Sequence, residues 1–178
     1  MNRTGTAIVS FVVGLLILPV VAYFYLAYGK PPVATADSPF PLEARIVSIP
    51  LDARIRRDMR DIPSTPPVPL DDATLTAGAE VYKTECAFCH GTAAMPSATA
   101  ATMFPRAPQL WAKHKNGVVG VSDDPVGETF WKVKNGIRLS GMPAYGTILS
   151  DADIWQVSLL LSVADKPMPA SATKFLNP

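Results

Sequence analysis

Cys86-Ala87-Phe88-Cys89-His90 is the stretch on which the reading of this chain turns, and it holds the only 2 cysteines among 178 residues. Two thiols one helical turn apart can reach the two vinyl-derived positions on one edge of a haem, and a histidine directly after them can swing beneath the ring as an axial ligand to iron. The run therefore reads as a c-type haem attachment site. Three other chemistries use closely spaced cysteines. A thioredoxin-like pair belongs to a βαβ context, whereas the flanks here are helical and loop-like. A structural zinc site needs four ligands, but the chain offers one further histidine, His114, and no further cysteine. A disulfide stays open from spacing alone, although so small a loop gains little from closure entropy.

Outward from this run the apolar pattern is helical in separate pieces. Thr74 to Glu85 carries Leu75, Ala79, Val81 and Tyr82 near helical spacing, with Asp71, Asp72 or Thr74 available as N-cap. Gly127 to Ile137 reads as a second helix, ending near Asn135-Gly136. Ser150-Asp151-Ala152-Asp153 opens a third, running through Ile154, Val157, Leu160 and Leu161 to about Val163. No segment keeps the alternation of a strand.

Toward the N-terminus, Ala7 to Tyr28 is free of charge, and its 22 residues make a helix of about 33 Å, enough to cross a hydrocarbon core of roughly 30 Å. Arg3 and the α-amino group precede it and Tyr23, Phe24, Tyr25 and Tyr28 close it, which predicts an N-terminus facing the cytoplasm. Ala34-Thr35-Ala36 has the form of a signal-peptidase site, the competing reading, but the apolar run is longer than a signal core. Either reading exports the rest of the chain.

Residues 29–72 hold 9 of the 18 prolines, which predicts an extended spacer. Within it, Leu51, Ile55, Met59 and Ile62 recur at helical spacing between Pro50 and Pro63, with Arg54, Arg56, Arg57 and Arg60 among them. One short amphipathic helix fits, either a basic solvated face over a packed stripe or a docking element for a partner or anionic lipid.

A haem held by His90 needs a sixth ligand or an open face. Met95, Met103, Met142, Met168 and His114 are the candidates. Pro143 cannot continue a helix, so Gly141-Met142-Pro143 sets a loop that projects a thioether, and Met142 is the favoured ligand. Met95 follows His90 closely, Met168 lies beyond the third helix, and a His90/His114 pair is the bis-imidazole alternative.

With these residues in place, the chain resembles a class I, mitochondrial-type c-type cytochrome in its bacterial membrane-anchored form, over about residues 72–166. The resemblance implies an all-α cytochrome c fold, three to five short helices around one covalently bound haem c and its iron, preceded by one N-terminal transmembrane helix. It divides the chain into an anchor (1–30), a Pro-rich spacer (31–71), the cytochrome c domain (72–166) and a C-terminal tail (167–178). Gly78 and Tyr82 match the family's glycine and aromatic on the first helix, where a small residue lets the last helix cross closely. Val157 and Leu160 fall where that last helix packs, Leu160 standing where an aromatic is common, and Trp155 adds bulk. Pro108-x-Leu110 resembles the loop whose proline carbonyl accepts a hydrogen bond from the proximal histidine and whose leucine packs on haem. Residues 135–144 resemble the distal methionine segment, and Arg106 and Arg138 are candidate partners of the haem propionates.

His90 on one face and Met142 on the other leave iron no vacant position, a site for passing single electrons. No Gly-rich dinucleotide loop or Ser/His/Asp arrangement accompanies it. An electron-transfer protein is expected rather than an enzyme. The leading expectation is a carrier tethered to the inner membrane, its haem domain on the periplasmic side, exchanging electrons with redox partners of the respiratory membrane. The alternative is a fixed haem c subunit of a larger dehydrogenase or oxidase complex, with residues 40–70 wrapped on its partner. A haem sensor or peroxidase-like enzyme with a displaceable Met142 stands third. Lys113, Lys115, Lys132 and Lys134 are candidates for a docking patch. A formal charge of +1 gives no field for a polyanion, which excludes nucleic acid as a partner.

Overall fold

An apolar run with no polar face satisfies its backbone in a bilayer only as a helix. The computed structural model, which describes residues 3–114 and 117–177, shows that helix as α1, Arg3–Tyr28. None of its side chains is buried, and at 26 residues it is about 39 Å long, enough to cross a membrane. Pro19 lies inside it, as bilayer helices tolerate. The Phe24 ring stacks on Tyr28 and meets Tyr23 edge-on at its far end. Beyond α1, the Asp37 carboxylate accepts hydrogen bonds from the Val33 and Ala34 amides, both 2.9 Å, and closes a turn. Residues 1–40 form one compact unit and 41–178 a second.

The second unit is all helix and loop. Among the described residues its only β feature is an isolated antiparallel bridge between Lys113 and Val119. Its helices are α2 (Glu43–Asp58), α3 (Asp72–Val81), α4 (Ala87–His90), α5 (Val126–Asn135), α6 (Asp151–Ser162) and α7 (Ala170–Leu176). The three helices expected from the apolar pattern are α3, α5 and α6. Asp71 caps α3 by accepting from the Thr74 amide at 2.8 Å. Ser150 and Asp153 form a capping box at the start of α6, satisfying two backbone amides that would otherwise lack partners. Gly136 ends α5 at φ +66, where an added Cβ would lie 2.7 Å from the Ala144 amide nitrogen.

The core is the crossing of α3 with α6. Ala79, Ile154, Val157, Leu160 and Tyr82 are fully buried. Gly78 makes the crossing possible: a Cβ there would run into the Gln156 carbonyl oxygen and sit 2.7 Å from the Gln156 carbonyl carbon. α5 closes one flank, with Phe130 stacked on Trp155 at 4.2 Å between ring centres.

Three features depart from the expected layout. α2 begins at Glu43 and carries Pro50 within it, so the spacer holds a 16-residue helix rather than a short one confined between Pro50 and Pro63. Its later half packs on the domain. Ile55 is buried, and Asp58 accepts from Trp131 Nε1 at 2.9 Å and from Arg54 at 2.7 Å. The helix read through Glu85 is α-helical only to Val81; Tyr82–Cys86 then form a π-helical turn. Finally, the residues expected as a tail contain α7, which buries Ala172 and Leu176 against α3.

Candidate functional site

The π-helical turn delivers the cysteine run. Its widened pairing sends the Ala87 amide back to Tyr82 O, five residues away, and α4 then presents Cys89 and His90. The Tyr82 hydroxyl donates to Gly91 O at 2.8 Å, tying the start of the turn to the end of α4. Burial pushes the Tyr82 phenol well above its ordinary range and holds it as a donor. Both cysteines are free thiols, Cys86 buried and Cys89 partly exposed. Burial, then the neighbouring Glu85 and Cys89, pushes the Cys86 thiol up to about 12, so it is protonated at neutral pH.

His90 Nδ1 lies 2.8 Å from Pro108 O. A carbonyl oxygen only accepts, so Nδ1 carries the proton and Nε2 keeps its lone pair. Burial lowers the His90 pKa, opposed in part by the bond to Pro108, and favours this neutral form. The Leu110 amide returns to His90 O at 3.2 Å, and Gln109 Nε2 donates to Cys89 O at 3.2 Å. Pro108 and Leu110 thus hold His90, and Gln109 between them holds Cys89.

Cys86 and Leu110 belong to one buried cluster, and Met142, Tyr145 and Trp111 pack against it. The Met142 segment is fixed by its own backbone: Ile137 N donates to Met142 O at 3.3 Å, and Met142 N to Ser140 Oγ at 3.2 Å. Tyr145 joins it to the attachment segment, its hydroxyl donating to Glu85 O at 2.8 Å. Burial first, then Cys86, Glu85 and Cys89, pushes that phenol up to about 12. Arg106 and Arg138 are both exposed on the surface. Of the other sulfur candidates, Met95 is 68% exposed, Met168 packs against the core, and Met103 lies against Gly141 beside Met142. His114 Nε2 is held 2.7 Å from Gly120 O.

Sequence reasoning missed Tyr145, Gln109 and Trp111. Trp111 stands edge-on to Tyr82, and its buried indole N–H has no acceptor in hydrogen-bonding geometry among the described residues. Nothing in the spacing signals these roles, which arise from contacts across 60 residues for Tyr145 and 20 for Gln109. Two lysines of the candidate docking patch are engaged in ion pairs within the domain. Lys132 pairs with Glu128 at 2.7 Å and Asp124 at 3.5 Å, and Lys134 with Asp151 at 2.7 Å, so neither offers an open charge. Lys113 is exposed, and Lys115 lies outside the described residues.

Among the described residues, no three His, Cys, Asp or Glu side chains gather as ligands for a bare metal ion. The donor set instead fits a macrocycle that brings most of its own ligands: two thiols, one neutral imidazole nitrogen and one thioether segment.

Residues 73–159 match the family model described as cytochrome C oxidase, cbb3-type, subunit III. The match covers just under half of the chain and supports a relationship to c-type cytochromes of oxidase complexes and a role in electron transfer. No curated protein and no solved structure matches the chain.

Proposed function

We propose that this chain is a single-pass, membrane-anchored haem c subunit of a respiratory oxidase-type complex. This is the alternative drawn from the sequence, and the family match favours it over a free monohaem carrier. The observation that carries the haem reading is His90, its Nδ1–H committed to Pro108 O at 2.8 Å and its Nε2 left as a ligand directly after the two free thiols.

Haem c supplies a one-electron iron couple when bound. Cys86 and Cys89 would hold it through their sulfurs, and His90 Nε2 and the Met142 thioether would be the protein's ligands to its iron. The Pro108 carbonyl fixes the imidazole ring and raises its basicity as a ligand. Leu110, Tyr82 and the α3–α6 core are buried and would keep water from that side of the group. Arg106 and Arg138, both exposed, would be the donors for acidic groups on the haem edge. The cytochrome c fold, a single haem and a haem domain on the periplasmic side complete the reading.

Purification from native membrane in mild detergent, with haem staining and identification of co-migrating chains, tests it. Stoichiometric partner chains are expected. A haem-stained chain that migrates alone overturns the fixed-subunit reading.

A further inference from the structure

The spacer helix α2 has two opposed stripes. Leu51, Ile55, Asp58 and Ile62 recur at four, three and four residues, and this stripe meets the domain through buried Ile55 and the Asp58–Trp131 bond. Leu42, Ile46, Ile49, Ala53, Arg56 and Arg60 follow the same repeat on the opposite side. Leu42, Ile46 and Ile49 are 64%, 61% and 63% exposed, and neighbouring Val47 is 52% exposed. Arg56, Arg57 and Arg60 continue that outer side, all exposed. Arg54 is the arginine of this helix that Asp58 engages. Leu42, Ile46 and Ile49 thus stand exposed on one face, followed by the exposed Arg56, Arg57 and Arg60.

We infer that the outer face of α2 lies on an anionic lipid surface, Leu42, Ile46 and Ile49 entering the headgroup boundary and Arg56, Arg57 and Arg60 meeting lipid phosphates. Amphipathic interfacial helices combine an apolar face with basic residues in this way. The occupant follows from the chain itself. α1 ends at Tyr28 and α2 begins at Glu43, so the 14 residues between them reach at most about 50 Å. A bilayer is therefore always within reach of this face, at high effective concentration. The charge is complementary as well, since basic residues near an anionic surface are attracted to it. The inference rests on α1 as the membrane anchor and is independent of the haem assignment.

Hydrogen exchange of the full chain in single-copy nanodiscs tests it. Amides of residues 43–57 are expected to exchange several-fold more slowly in phosphatidylglycerol-containing discs than in pure phosphatidylcholine discs or in detergent. The Ile46→Ser/Ile49→Ser and Arg56→Gln/Arg57→Gln/Arg60→Gln variants change only exposed side chains, and each is expected to abolish that difference. Equal exchange in all three environments overturns the inference. So does equal protection in neutral and anionic discs, because the arginines then contribute nothing. Protection that appears only when a co-purified partner chain is present also overturns it and assigns the face to protein. None of these outcomes depends on the haem absorbance of the sample, which separates failure here from failure of the proposed function.

Discussion

Replacing Gly78 by alanine probes the α3–α6 crossing, on which the whole haem-side architecture rests. The new Cβ would meet the Gln156 carbonyl oxygen, with the Gln156 carbonyl carbon at 2.7 Å and the Val157 nitrogen at 3.1 Å. These atoms are backbone in the middle of α6 and cannot rotate away. Alanine in a helix interior gains about 1 kcal/mol over glycine. Overpacking a core costs about 1–3 kcal/mol, and contact with rigid backbone on both sides puts this site at the upper end. The net loss is about 1–2 kcal/mol, or a fall in Tm of about 3–10 °C for a unit of this size. Gly127→Ala is the contrast. Its Cβ would meet the side-chain ends of Ile62 and Met59 at 3.0 and 3.1 Å, and the flexible methionine can move. Thermal unfolding by far-UV circular dichroism in detergent measures both. If Gly78→Ala leaves Tm unchanged or raises it, the helix-propensity gain has won and the two helices do not approach at Gly78.

Two further outcomes follow from bonds that bridge distant segments. Tyr145→Phe removes the hydrogen bond to Glu85 O and is expected to cost about 0.5–1.5 kcal/mol; amide exchange across residues 137–145 should quicken, and unchanged exchange there would mean that the hydroxyl does not anchor the Met142 segment. The Asp58 carboxyl is held below its ordinary value of 3.8 by hydrogen bonds from Arg54 and then Trp131. A depressed folded-state pKa gives stability that is present above the unfolded value and lost as pH falls through the folded one. Docking of α2 should therefore loosen in acid below about pH 4, read as faster exchange of residues 51–58, and Asp58→Asn should flatten that dependence. Identical acid profiles in the two proteins would refute the assignment.

How much of this was legible depended on whether the signal was local. Charge-free length gives α1, and Ser150 with Asp153 gives the start of α6, because a capping box is written within four residues. The cysteine run is likewise written within five residues, whereas the Pro108 carbonyl lies 18 residues from His90 and was suggested only by the family resemblance. α2 was misjudged because Pro50 breaks helices by local rules, whereas here the helix runs through it and its later half is held by buried Ile55 and by the Asp58–Trp131 hydrogen bond, 73 residues apart in sequence. The π-helical turn at Tyr82–Cys86 leaves the apolar spacing of α3 intact, so nothing in the pattern announces it. The ion pairs of Lys132 and Lys134 changed the meaning of residues that look like an open basic patch in the sequence. α7 is short and dominated by small residues, and its helicity comes from packing on α3 rather than from its own periodicity.

The near-infrared absorption of the oxidised full chain, compared with that of Met142→Ala, tests the central assignment most directly. Thioether ligation to haem iron gives a weak sulfur-to-iron charge-transfer band. The band is expected in the wild-type protein and absent from Met142→Ala, with haem still covalently attached in both. A wild-type protein without haem absorbance, or a band that persists when Met142 is removed, contradicts a haem held between His90 and Met142.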